Sequence, residues 1–363
     1  MKKLSVNIVI YNGAKYVPFL MVSLKRQTFK DFEIIYVDNL STDGTYELME
    51  KELKDSGLEY RIIKNDANYG FAVGHNQAYK ETTAPFFLLQ NVDMYLMPDA
   101  LEKSVKFLED YKEAVAVSPR LMRWDFEKVI NVYKNGSDLV SAAKEGFTSQ
   151  VDAIGIRLFK NRRAVEWLTR EEWAKDSENS FVRDLYDKQV CEVFGVSGAL
   201  SMYRKSATDK VLLPGNNLFD PTYHSYKEDL DLAYRLRNAG YTSYVLLDTT
   251  AYHDRFGAGP KEMGDFAALK NKRKQSAFVR YHSYKNHLRT LYKNEYWQNF
   301  LLDFPFIFWY EFKKFCYLLI TDPKIIFKGW FEIIKDRKYM REARNMIIAS
   351  RRLYWRGIRR WFL

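Results

Sequence analysis

The sequence is poor in the residues that staple small secreted domains or build metal cages. Among 363 residues there are two cysteines, Cys191 and Cys316, and five histidines. Two cysteines so far apart give neither a disulfide framework nor a zinc site, and a reducing cytosol is the expected compartment. A signal-peptide pattern is missing too, since the first apolar run ends at Tyr11-Asn12-Gly13. A membrane-spanning helix needs about 20 mostly apolar residues. The best candidate, Phe300 to Ile320, is interrupted by Asp303, Glu311, Lys313 and Lys314, and reads as interfacial rather than spanning. Gly70 and Gly74 have the wrong spacing for a dinucleotide fingerprint, and no Gly-Lys-Ser/Thr phosphate loop occurs. Internal repeats and low-complexity tracts are also absent.

What is present is a folding composition. Hydrophobic residues make up 47% and charged residues 28%, which excludes disorder as the default. The length suits one large α/β domain with a helical appendage. The net charge of +11 is unevenly placed: from Arg280 onward there are 18 Lys/Arg against 7 Asp/Glu, and everything before that point balances at 39 against 39.

Short apolar runs bounded by turn residues recur at Val6–Ile10, Glu33–Val37, Arg61–Ile63, Phe86–Leu89 and Val115–Val117. Helix-like segments alternate with them at Val17–Arg26, Thr45–Leu53, Gly74–Lys80 and Pro98–Asp110. This alternation predicts an α/β fold, a mostly parallel sheet flanked by helices. The polar stretch from Leu121 to Gln189 breaks the rhythm and reads as an excursion near the active face. Val193–Tyr203 and Ser243–Leu247 read as strands, and Glu228–Ala239 as a helix stopped by Gly240. From Phe266 onward the pattern is helical, with turns near Pro305 and Asp322-Pro323. The expected division is a domain over 1–265 and a basic, aromatic extension over 266–363.

In open α/β sheets ligands sit beyond the carboxyl ends of the strands. Tyr11-Asn12-Gly13 follows the first strand. Asp38 to Thr45 follows the second, where Asp38 can accept from the N3–H of a uracil or thymine and Ser41 or Thr42 can cap the next helix; the same residues also suit a plain strand-to-helix turn. Asn68-Tyr69-Gly70-Phe71 to Asn76 offers small and polar residues for nucleotide contact. Asn91-Val92-Asp93 ends a strongly apolar strand, and a carboxylate there suits a divalent cation or a helix start before Pro98. Glu228 and Asp229 open a helix, as dipole-compensating carboxylates or as a general base. His253 follows a strand and suits a metal or diphosphate ligand, or an ordinary polar role.

Taken in order, Val6–Gly13, Gln27-Thr28-Phe29, Val37–Thr45, Asn68–Asn76, Asn91–Asp93, Glu228–Leu232 and His253 resemble glycosyltransferase family 2, in particular bacterial rhamnosyltransferase-like members. The resemblance covers roughly residues 4 to 295. It implies a GT-A type, Rossmann-like domain and an inverting sugar transfer from a UDP- or dTDP-sugar, with rhamnose one candidate. It implies that Tyr11, Asn12, Asp38, Asn68, Gly70, Phe71, Asn76 and Asn91 line the nucleotide side. Asp93 and His253 would hold Mg²⁺ or Mn²⁺, and Asp229, with Glu228 beside it, would be the base. The sequence departs from the family at Val92, where proline is usual, and after His253, where Phe256-Gly257-Ala258-Gly259 lacks the usual serine. Rival readings are a nucleotidyltransferase, whose glycine-rich basic opening is absent, and a non-catalytic membrane-associated nucleotide-binding protein.

The extension is dense in Trp297, Phe300, Phe304, Phe306, Phe308, Trp309, Tyr310, Phe312 and Phe315, then Trp330, Trp355 and Trp361. Aromatic and cationic residues together suit a bilayer headgroup region, so an anionic membrane surface at the inner face of the cytoplasmic membrane is one expected partner. The alternative is a helical extension that packs on the catalytic domain or on a partner subunit. A glycan or lipid-linked saccharide acceptor would fit the membrane location. Nucleic acid is not expected, because no recognised binding module is present.

Overall fold

Seven elements alternate through the first ninety residues: β1 (Leu4–Ile10), α1 (Val17–Lys25), β2 (Phe32–Asp38), α2 (Thr45–Lys54), β3 (Glu59–Lys64), α3 (Gly70–Glu81) and β4 (Phe86–Gln90). The computed structural model describes residues 1–255 and 275–363. β2 and β4 are buried along their whole length, and β1 nearly so, which is why they read as continuous apolar runs rather than alternating ones. The helices close over them with one apolar stripe each. In α2 the buried residues are Thr45, Met49 and Leu53, one turn apart.

The chain continues through β5 (Met94–Leu96), α4 (Ala100–Asp110), β6 (Ala114–Trp124), α5 (Phe126–Lys134), α6 (Leu139–Glu145), β7 (Phe147–Ala153), the hairpin β8 (Ile156–Leu158) and β9 (Ala164–Glu166), and α7 (Ser180–Tyr186). Then come β10 (Val190–Val193), β11 (Leu200–Arg204), α8 (Lys205–Thr208), α9 (Glu228–Asn238) and β12 (Thr242–His253). Ten strands form one sheet, with the path β10-β12-β6-β11-β4-β1-β2-β3; β5 pairs with β12 and β7 with β6. β3, β2, β1 and β4 are mutually parallel, and β6 is parallel to β12. β11 is antiparallel to both β4 and β6 and joins the two groups. Six strands therefore run one way, in the mostly parallel α/β arrangement expected.

Four local readings change. Val193–Tyr203 is two strands, because Phe194 to Ala199 leaves the sheet as a loop against α9. Val115–Val117 and Ser243–Leu247 are the cores of longer strands, and β12 carries its pairing on to His253 past a register shift between Leu246 and Thr250. Gly70 already starts α3, so most of Asn68–Asn76 is helix rather than loop. The excursion from Leu121 to Gln189 is ordered, and β7 and β9 bring it to the site described below.

The C-terminal extension folds as α10 (Ala277–Asn294), α11 (Trp297–Leu302), α12 (Phe304–Thr321), α13 (Pro323–Lys335), α14 (Arg337–Ser350) and α15 (Trp355–Arg359). Proline opens α12 and α13 at the two expected turns, where its missing N–H costs nothing. The expected boundary at residue 265 lies outside the described residues. The extension is docked through buried charge. Lys293 reaches Asp220 at 2.6 Å and Asp231 at 3.0 Å, with all three side chains fully buried. Arg162, in the β8–β9 turn, pairs with Glu295 at 2.6 Å and Asp303 at 2.9 Å. Phe362 and Ile358 bury beside Phe194 and Tyr234 of the sheet-bearing part of the chain.

Candidate active site

At the carboxyl end of the parallel strands, the loops after β1 and β2 are stitched together. Asn12, in the left-handed region at φ 56°, accepts the Thr42 N–H at 2.8 Å and donates its own backbone N–H to Ser41 Oγ at 3.0 Å. The Gly13 N–H donates to Thr45 Oγ1 at 2.8 Å. Ser41 and Thr42 thus serve the neighbouring loop and do not cap α2, whose first turn follows Gly44 in the left-handed region. Gly13 is required sterically: a Cβ there would lie 2.9 Å from Val92 Cγ1, so its absence lets this loop reach the Asn91–Asp93 turn.

Asp38 is fully buried at the end of β2, accepting from Tyr36 Oη at 2.9 Å and the Ser41 N–H at 3.0 Å. Asn39 donates to the Gly70 carbonyl at 3.1 Å and accepts from Asn65 at 2.8 Å, tying β2 and β3 to the start of α3. Asn68 accepts the Gly70 N–H at 3.0 Å. Gly70 has φ +83°, and a Cβ there would sit 2.6 Å from the His224 carbonyl oxygen. Asn76 is buried, and both ends of its amide bond the Phe219 backbone, at 2.9 and 2.8 Å. Phe71 packs against the His75 ring. Tyr11 stands exposed at the rim. Asn91 is anchored through its N–H to the Ala199 carbonyl at 2.9 Å.

A second group converges from far apart in sequence. His253 Nε2 faces Asp93 Oδ2 at 3.4 Å, and its Nδ1 contacts Asp152 Oδ2 at 2.8 Å. Arg255 Nε pairs with Asp152 at 3.1 Å, and its Nη2 reaches Glu166 at 3.2 Å. Glu166 accepts from Ser197 Oγ at 2.9 Å. The next residue, Gly198, donates its N–H to Asp229 Oδ2 at 3.2 Å. One polar chain therefore links Asp93 to Asp229. Asp152, Glu166 and Ser197 escape a reading of the sequence because no local motif marks them, and Arg255 lies in the stretch after His253 without a role of its own there.

The charges are set by their neighbours. Burial works against the His253 imidazolium, but Asp93 and Asp152 outweigh it and raise its pKa to about 9. Burial likewise opposes ionisation of Asp152, yet Arg255 and His253 hold it below the usual range. Burial and then Asp229 push Glu228 up to about 8, and its Oε2 has no hydrogen-bond partner. Burial also raises Glu166 against the pull of Arg255. In the first turn of its helix Asp229 Oδ1 accepts the Leu230 N–H at 2.7 Å. The loop before it is strained: His224, Tyr226 and Lys227 all have positive φ, a conformation costing non-glycine residues about 1 kcal/mol or more each.

Among the described residues no group of three or more His, Cys, Asp or Glu is arranged as a metal cage. Asp93 and His253 nonetheless offer two convergent donors, with Asp93 partly exposed. That set fits a divalent cation taking its other ligands from a diphosphate and water. Asp152 on the far nitrogen of His253 is the orienting contact such ligands commonly have.

Residues 5–212 match Glycosyl transferase family 2, more than half of the chain. The chain belongs to that family. As a family 2 glycosyltransferase it is similar, at 26% identity over 296 residues, to the uncharacterized glycosyltransferase YfnE of Bacillus subtilis, covering 73% of this chain and 68% of that protein. It is 34% identical over 93 residues to a teichoic acid poly(glycerol phosphate) polymerase of Staphylococcus epidermidis, covering 26% of this chain and 13% of the polymerase. A solved structure of GalNAc-T7 with UDP, GalNAc and Mn²⁺ shares the fold at TM-score 0.55 and 12% identity, over 83% of this chain and 50% of that one. These matches favour the transferase reading over the nucleotidyltransferase and the non-catalytic module.

Proposed function

We propose that this glycosyltransferase moves a sugar from a UDP- or dTDP-sugar to a hydroxyl of a glycan or lipid-linked saccharide, in cell-surface polysaccharide synthesis, by one inverting displacement. The observation that carries the reading is the polar chain from Asp93 through His253, Asp152, Arg255 and Glu166, and then through Ser197 and the Gly198 N–H, to Asp229. It spans the distance between a diphosphate site and a base. Asp229 takes the acceptor hydroxyl proton as that oxygen bonds the anomeric carbon. The anomeric C–O bond breaks, and its electron pair leaves on the nucleoside diphosphate. Mg²⁺ or Mn²⁺ held by Asp93 and His253 would neutralise charge on the departing diphosphate. The UDP and Mn²⁺ in the GalNAc-T7 structure of the same fold support that donor class. Asp38 reads the pyrimidine N3–H edge, Tyr11 offers a ring face at the rim, and Asn12, Asn68, Gly70, Phe71 and Asn91 surround the nucleotide. Glu228, with its raised pKa, keeps a proton beside the base. The rhamnosyltransferase-like resemblance makes rhamnose the first sugar to try.

The same reading places the enzyme at the inner surface of an anionic membrane. No described helix is long and apolar enough to cross a bilayer. The support is an exposed ladder of rings on α11 and α12, Phe300–Phe304–Phe308–Phe312, at centroid spacings of 5.7 to 5.8 Å. Asp229→Asn should keep nucleoside diphosphate affinity by calorimetry and abolish transfer. Full activity in that variant removes Asp229 as the base.

A further inference from the structure

The strained loop that presents Asp229 does not hold itself. Three of its residues, His224, Tyr226 and Lys227, sit in the left-handed region, which non-glycine residues adopt uncommonly. Across from it runs α10, and one face of that helix is polar and buried: His282, Lys285, Asn286, Arg289, Thr290, Lys293 and Asn294. Those positions recur every three to four residues, the spacing of one helical face. Such a face is costly to bury unless its partners are specific.

The partners are backbone groups of this loop. Asn286 is fully buried, and its Nδ2 donates to the carbonyls of Tyr223 at 3.0 Å, Ser225 at 2.9 Å and Tyr226 at 2.8 Å. His282 Nδ1 also contacts the Tyr223 carbonyl, at 3.0 Å, and Lys285 donates to that of Thr222 at 3.1 Å. Tyr223 Oη bonds Thr290 Oγ1 at 2.8 Å. One turn further, Asn294 donates to Asp231, two residues beyond the base. The family match ends at residue 212, before both the loop and the helix.

We propose that Asn286 is a positioning residue for sugar transfer. Its two amide N–H groups, one of them shared, gather the carbonyls of Tyr223, Ser225 and Tyr226 and so keep Tyr223–Lys227 in the conformation that aims Asp229 at the acceptor hydroxyl. This rests on the reading of Asp229 as the base. The helical extension is then part of the catalytic apparatus, and its first helix completes the acceptor side of the site. His224 of the same loop accepts the Ala72 N–H at 3.0 Å, so the loop also touches the start of α3.

The test is Asn286→Asp, which keeps the shape and replaces the donor with an oxygen facing three carbonyls. Asn286→Ala is the second variant if the first does not fold. Trp330→Ala serves as the stability control. It removes the Trp330 Nε1 contact to Tyr284 of α10 at 3.0 Å without touching the loop. The expected result is a kcat lower by about tenfold to a hundredfold, with donor KM within about twofold, because misplacing a reacting group costs rate rather than ground-state binding. Hydrogen exchange should accelerate at 223–227 and stay unchanged along α10. In an Asp229→Asn background the Asn286 substitution should remove no further activity. A kcat loss no larger than that of Trp330→Ala at equal loss of melting temperature overturns the proposal, as does unaltered exchange of the loop. If Asp229→Asn itself retains transfer, the base reading fails separately, while loop exchange still decides whether Asn286 holds the loop.

Discussion

Asp152 Oδ2 lies 2.8 Å from His253 Nδ1, across 101 residues of sequence. That contact turns Nε2 of the ring toward Asp93. It also makes the excursion after β6 a working part of the site, because β7 delivers the carboxylate and β12 the imidazole.

Asp152→Asn keeps the shape but removes the charge that orients His253. Loss of such an outer contact typically costs about 10- to 100-fold in metal affinity or activity. Titrating the variant with Mn²⁺ in the presence of UDP should show that weakening. An unchanged isotherm would detach Asp152 from the cation site and leave it a structural partner of Arg255.

Glu228 makes a pH prediction with a definite sign. Its folded pKa is about 8, against 4.5 for an ordinary glutamate. Between those values the unfolded chain gives up a proton that the folded chain keeps. Stability from this group is therefore full at low pH and falls as pH rises through that window. Glu228→Gln cannot ionise and escapes the loss. Its melting temperature relative to the parent should rise from pH 5 to pH 8.5, and a constant difference across that range would place Glu228 in water.

Eleven exposed bulky apolar side chains stand on α12 and α13, from Phe304 to Ile334. On α13, Phe327, Phe331 and Ile334 lie on one face, each more than 60% exposed. Lys324, Lys328 and Lys335 share that helix. Replacing Phe327, Phe331 and Ile334 with serine should reduce co-flotation with anionic vesicles while soluble-acceptor activity persists, since none of the three belongs to the docking contacts. Flotation equal to the parent's would end the membrane reading.

Much of the fold was legible because the cause is local. β1, β2 and β4 are short apolar runs, α2 and α4 repeat their apolar residues at helical spacing, and proline marks the starts of α12 and α13. Asn12, Asp38 and Asp93 stand just beyond the ends of β1, β2 and β4, so strand position pointed to them, while the roles expected of Asp229 and His253 came from the family resemblance. The break between β10 and β11 was hidden, because Phe194–Ala199 has strand-like composition yet leaves the sheet to meet α9. The first turn of α3, ahead of the apparent start at Gly74, is hidden for a similar reason: the helix begins in a left-handed Gly70 that faces His224.

The sequence by itself determined the family, the carboxyl-end position of the site and the concentration of charge in the extension. Each depends on residues close together in the chain. Tertiary structure alone decided that Asp152, Arg255, Glu166 and Ser197–Gly198 connect Asp93 to Asp229, and that Asn286 grips the loop before Asp229. It also decided which aromatics face outward and which, like Phe362, are buried in the dock. Hydrogen bonds and ion pairs need only a few ångströms in space and put no limit on separation along the chain. A buried polar partner therefore leaves no periodic trace in sequence until the fold brings its counterpart to it.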